Sequence, residues 1–126
     1  MRLALLAAFG GAIGSLARYL AVSAAGRAFG IEFPWGTFGV NVAGSFAIGA
    51  IMAAITHLFD GSSELRVLLV TGFLGGFTTF SAFSFELMQL IERKAFIAAL
   101  AYAGGSVVLS LLAVFLGYVA IKAAVT

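Results

Sequence analysis

The 126-residue chain has no cysteine, one histidine and one proline. Without thiols there can be no disulfide, thiolate metal ligand or redox pair. His57 stands alone near Asp60, and a single histidine with no cysteine makes no metal site. Charge is scarce as well, at 10% of residues, with seven basic against five acidic side chains and a net +2. The basic residues are scattered, so no polybasic run points to nucleic acid or to anionic lipid headgroups. Paired carboxylates, a Ser-His-Asp set and a phosphate-binding loop are all missing. An enzyme is therefore the least supported class.

What is present is apolar. Hydrophobic residues make up 63% of the chain, and the mean hydropathy is +1.16. A soluble domain of this size could not bury that much apolar surface. The expectation is an all-α membrane protein, one four-span domain over residues 1–126, with no soluble domain and no internal repeat. Charged and turn residues punctuate four apolar runs at about 3–25, 35–58, 65–91 and 96–121. Each reaches the roughly 20 residues needed to cross hydrocarbon. The first continues past signal-peptide length without a convincing cleavage site, and reads as a retained span.

The lysine and arginine bias that normally fixes topology is nearly nil. Arg2, Arg66 and Lys122 fall on one side and Arg27, Arg93 and Lys94 on the other. That tie permits insertion both ways and an antiparallel, dual-topology homodimer. The alternative is that assembly or folding fixes one orientation despite the tie.

The third run holds the most informative stretch, Gly72 to Ser84, GFLGGFTTFSAFS. Three glycines and four hydroxyl residues are out of place in a lipid-facing helix. Irregular backbone at membrane depth survives where it is buried in protein or lines a wet cavity. The expectation is a helix broken near its middle, at Gly75. Carbonyl oxygens ending the first half suit a small cation such as Na+. Free N–H groups starting the second half suit an anion.

Polar residues elsewhere recur every four positions. Thr37, Asn41 and Ser45 form one ladder, and Tyr102, Ser106 and Ser110 another. Such ladders either glue helices together or line a pathway of weak, repeated sites. Asn41 is the strongest single candidate, since its amide offers two donors. Gly10, Gly14 and Arg18 share the same period in the first run. Arg18 is either a snorkelled anchor or a cation facing a wet cavity. Phe77, Phe80 and Phe83 either pack or turn electropositive ring edges towards an anion. Glu86 is the only carboxylate inside the third run, and the other runs have none. It reads as a hydrogen-bonded group near the interface, or else as a proton or cation ligand. A small proton-coupled transporter needs such a deep carboxylate. A purely structural subunit needs neither ladders nor a break.

The stretch from Gly72 to Ser84, with Gly36 to Gly44 and the Gly10, Gly14, Arg18 pattern, resembles the CrcB/Fluc fluoride channels over essentially the whole chain. The resemblance implies a bacterial inner-membrane channel through which toxic cytoplasmic fluoride leaves passively. It implies an antiparallel dimer with two pores, Phe80 and Phe83 along the path, and Asn41 as the pore asparagine. Thr37, Tyr102, Ser106 and Ser110 would form its polar track, and Arg18 would lie towards an aqueous vestibule. A central structural Na+ would be held by the backbone carbonyls of Gly75 and Thr78 from both subunits. The partners implied are fluoride, a second copy of the chain and the lipid bilayer.

Overall fold

The computed structural model describes residues Met1–Thr126 and is all-helical. Helix α1 spans Arg2–Phe29 and α2 spans Trp35–Leu58. The third span, Ser63–Glu92, is discontinuous. It comprises a short α3 (Ser63–Leu65), a π-helical stretch (Arg66–Leu74), a short α4 (Gly75–Phe77) and α5 (Phe80–Glu92). Helix α6 spans Phe96–Val125. The four apolar runs thus become four helices long and apolar enough to cross a membrane.

The turns follow residue chemistry. Gly30 ends α1 with φ of 82°, a backbone conformation that favours glycine. Pro34 precedes the first turn of α2, which its missing N–H does not disturb. Asp60 and Gly61 make the next reversal with positive φ, and the Ser62 hydroxyl then accepts from the Leu65 N–H at 3.3 Å to start α3.

Only 17 of 126 residues are buried, so most apolar side chains face outwards. Leu5, Phe9, Ile97, Leu100 and Phe115 are among them. Those faces belong in hydrocarbon or against another apolar surface. What interior there is depends on small residues. Helices α2 and α6 pack through Gly49 and Gly117, where an added Cβ would meet the carbonyl oxygens of Val114 and Phe46 respectively. Helix α1 lies equally close to the third span. A Cβ on Gly10 or Gly14 would strike the Leu68 or Phe73 carbonyl oxygen, and one on Gly76 would come within 2.6 Å of the Gly11 oxygen. Membrane helices associate largely through such close backbone approach.

The third span is broken mid-length, but at Thr78–Thr79 rather than at Gly75. Gly75 and Gly76 stay helical in α4. Thr78 and Thr79 are extended, with ψ of 159° and 119°. Threonine chemistry sets the break. The Thr78 hydroxyl and N–H both donate to the Leu74 carbonyl, at 2.8 and 2.9 Å, and close the first half. The Thr79 hydroxyl accepts from the Ala82 N–H at 3.1 Å and opens the second. The glycines serve contact with α1 instead. The π-helical winding before the break was not expected from composition. There the Gly75 N–H reaches back to the Val70 carbonyl, an i→i−5 bond.

Candidate ion pathway at the helix break

Asn41 of α2 holds the break open. Its Nδ2 donates to the Thr79 carbonyl at 3.0 Å, and its Oδ1 accepts from the Thr79 N–H at 2.8 Å. The amide thus replaces two main-chain partners that the interruption removes. One of its two N–H donors is already engaged, which the sequence reading did not anticipate. Gly44, one turn further along α2, leaves room for the Thr78 methyl, which an added Cβ would strike. Arg18 reaches the same region from α1. Its Nε donates to the Gly76 carbonyl at 2.9 Å in a partly buried position. It is tied to the backbone just before the break.

Beside the break lies a cavity of about 460 Å³ between α2, α6 and the third span. Asn41, Gly75, Thr78, Phe80, Phe83, Ser106 and Ser110 all line it, with Ser45. The ring centroids of Phe80 and Phe83 are 5.5 Å apart. Phe80 is 77% exposed while Phe83 is 7% exposed, so one ring is embedded and the other stands free. Ser106 is 6% exposed, and its hydroxyl has no hydrogen-bond partner. A buried unpaired hydroxyl in a membrane protein is costly, and its donor is available to a guest. The first turn of α5, beginning at Phe80, carries N–H groups without helical acceptors and the positive end of a helix dipole.

Thr37 and Tyr102 do not line this cavity. Both are buried and donate to one carboxylate, Glu86, at 3.0 Å and 2.9 Å. The Tyr102 ring packs on Phe83 with centroids 4.9 Å apart and on Phe33 at 5.5 Å. The two ladders therefore divide. Asn41, Ser45, Ser106 and Ser110 open onto the cavity, while Thr37 and Tyr102 join Glu86 behind Phe83. The hydrogen-bonded reading of Glu86 agrees with this geometry. Its partners were missed: a carboxylate inside a span signals that donors are needed, but not which residues supply them. Tyr102→Phe keeps the ring packing and removes one of Glu86's two donors. It should lower stability in detergent by about 1–3 kcal/mol, read as a fall in the thermal midpoint.

The break also frees carbonyl oxygens. The Thr79 N–H that would bond to the Gly75 carbonyl goes to Asn41, and the Ala82 N–H that would bond to the Thr78 carbonyl goes to Thr79. Both residues line the cavity. Neutral oxygens of this kind suit a hard monovalent cation. No cluster of three or more His, Cys, Asp or Glu exists for a transition metal.

Residues 5–118 match the family described as CrcB-like protein, Camphor Resistance (CrcB). The chain is 57% identical over 113 residues to a protein of Chelativorans sp. (strain BNC1) named fluoride-specific ion channel FluC, covering 90% of each chain. It is 52% identical over 120 residues to one of that name from Rhizobium johnstonii, covering 95% of this chain and 96% of the other. With one from Rhodospirillum centenum it shares 44% over 125 residues, 99% of each.

Proposed function

We propose that this chain, which belongs to the CrcB-like protein family, is a fluoride-specific ion channel that carries the ion passively across the membrane. It is a channel protein and not an enzyme, as its relatives' names imply. One observation carries the mechanism: a membrane-depth cavity that brings together the start of α5, the rings of Phe80 and Phe83, and the unpaired Ser106 hydroxyl.

Fluoride is small and strongly hydrated, so a path must replace its water with close donors. Hydroxyls of Ser106 and Ser110 and the free N–H of Asn41 supply hydrogen bonds of moderate strength. Ring edges of Phe80 and Phe83 supply positive potential without trapping the ion. Thr37 and Tyr102, with Glu86, extend the polar track beyond Phe83. Arg18, on the Gly76 carbonyl, brings positive charge to the approach from the other side. Weak sites in series allow an ion both to bind and to leave.

Two finer features follow. The assembly is an antiparallel homodimer with two pores. The near-equal lysine and arginine tally supports insertion both ways, and the exposed ring of Phe80 beside an open cavity supports a second copy closing the path. The Gly75 and Thr78 carbonyls of both subunits would hold a structural Na+ at the dimer centre. Two oxygens from one chain are too few for such an ion, so two copies complete its shell. Its charge would offset the dipoles of the carbonyls brought together at the two breaks. The membrane is the bacterial inner membrane. There, hydrogen fluoride enters as a neutral acid and dissociates, and the membrane potential drives the anion out.

Purified protein in liposomes loaded with fluoride should release it when an ionophore balances charge, with chloride retained. Release that instead requires strict exchange against protons would make the protein a transporter. Phe80→Ile keeps bulk and removes a ring edge. It should slow efflux roughly threefold to tenfold, the worth of about 1 kcal/mol of aromatic electrostatics, with unchanged elution on a sizing column.

A further inference from the structure

We propose that a second cavity, at the far end of α5, is an anion vestibule, and that Arg93 and Glu32 on its rim set fluoride capture with opposite signs. The inference rests on the fluoride-channel reading and deepens it. The cavity measures about 380 Å³ and lies where α1 ends, α2 begins and α5 ends. Its lining includes Thr37 and Glu86, the same residues that meet Tyr102 behind Phe83. It therefore adjoins the buried end of the polar track. Gln89 and Arg93 also line it. Gln89 follows Glu86 on α5 at a spacing of three, and Arg93, the residue that caps α5, comes four later, so all three continue one helix face. That face leads from the half-buried Glu86 carboxylate out to the membrane edge.

Arg93 is the one cation in the lining. Its Nη2 donates to the Glu32 main-chain carbonyl at 2.6 Å, which holds the guanidinium over the mouth. A guanidinium has five N–H donors, so others remain for an arriving anion. The Gln89 amide adds donors one turn further in. Both Glu86 oxygens already accept hydrogen bonds from Thr37 and Tyr102. Those hydroxyl donors carry no charge and cancel none at Glu86, which lies at the inner end; the charged groups at the rim are Arg93, which draws an anion in, and the exposed Glu32 carboxylate, which repels it. Charges at a mouth act on local ion concentration and fade as salt screens them.

The test is initial fluoride efflux from liposomes at fluoride well below saturation, at low and at about 0.5 M ionic strength. Arg93→Gln should slow efflux about twofold to threefold at low salt. Glu32→Gln keeps the main-chain carbonyl that holds Arg93, and should speed efflux by a similar factor. Both effects should vanish at high salt, and Arg93→Lys should recover most of the loss by restoring charge. If Arg93→Gln does not assemble, Glu32→Gln alone decides. Unchanged efflux, changes of the same sign, or changes indifferent to salt would overturn the vestibule. No fluoride release from the unaltered chain would instead overturn the channel reading beneath it.

Discussion

Asn41→Asp should cut fluoride efflux about a hundredfold while the protein still assembles. Two effects combine. The Asn41 Nδ2 that donates to the Thr79 carbonyl becomes an oxygen, so two acceptors face each other across 3.0 Å. Leaving that carbonyl unpaired costs about 1–3 kcal/mol and loosens the break. The larger effect is charge. A carboxylate roughly 6 Å from a passing anion, at an effective dielectric of about 20, adds about 3 kcal/mol of repulsion. The Thr78 and Thr79 hydroxyl caps and the Arg18 bond to Gly76 remain, so the break keeps most of its supports. Asn41→Leu adds no charge but leaves both the Thr79 N–H and the Thr79 carbonyl unpaired, at about 1–3 kcal/mol each, so its effect should fall mainly on the break and read as a lower thermal midpoint. The pair of variants separates the two contributions. Efflux from Asn41→Asp within twofold of the parent, measured on protein of normal elution volume, would take Asn41 out of the pathway.

Much of this arrangement could be read from the chain. Apolar runs between charged punctuation gave four helices, because hydrocarbon thickness fixes the length of a span. The four-residue period of Asn41 and Ser45, and of Ser106 and Ser110, put those residues on faces that share one cavity. Three things were hidden. The break lies at Thr78–Thr79 because glycine has two uses, ending a helix or admitting a neighbour, and here Gly76 admits α1. The π-helical winding of Arg66–Leu74 has no compositional mark. The Glu86 network draws on residues 37, 86 and 102, on three separate helices, and no local spacing could unite them.

Gly117→Val should abolish assembly rather than slow the ion. An added Cβ at Gly117 meets the Phe46 carbonyl oxygen and comes within 3.0 Å of the Ala50 nitrogen. Those are backbone atoms of a regular helix and cannot swing aside. The opposite contact, Gly49 against Val114 and Tyr118, belongs to the same seam. Overpacking of a close interface typically costs 1–3 kcal/mol, and a branched side chain against rigid main chain belongs at or above the upper end. Helices α2 and α6 carry Asn41, Ser106 and Ser110, so parting them removes the wall of the cavity as well. The expected readout is loss of the monodisperse peak in detergent. Gly105→Ala, whose Cβ would find only the edge of Phe38 at 3.4 Å, should elute normally. A Gly117→Val protein with unchanged elution and thermal midpoint would show that the seam yields more than its geometry allows.

The widened coil of Arg66–Leu74 has a bearing on depth. A turn closed five residues back holds more residues per ångström of rise than one closed four back. The third span has 30 residues, well beyond the roughly 20 that a straight crossing requires. Generous winding takes up part of that surplus on one side of the break, ending at Leu74, just before the short α4 that leads into the extended pair Thr78–Thr79. Trimming a residue upstream would therefore hoist or sink the interruption relative to Asn41, which stays pinned to its own straight helix.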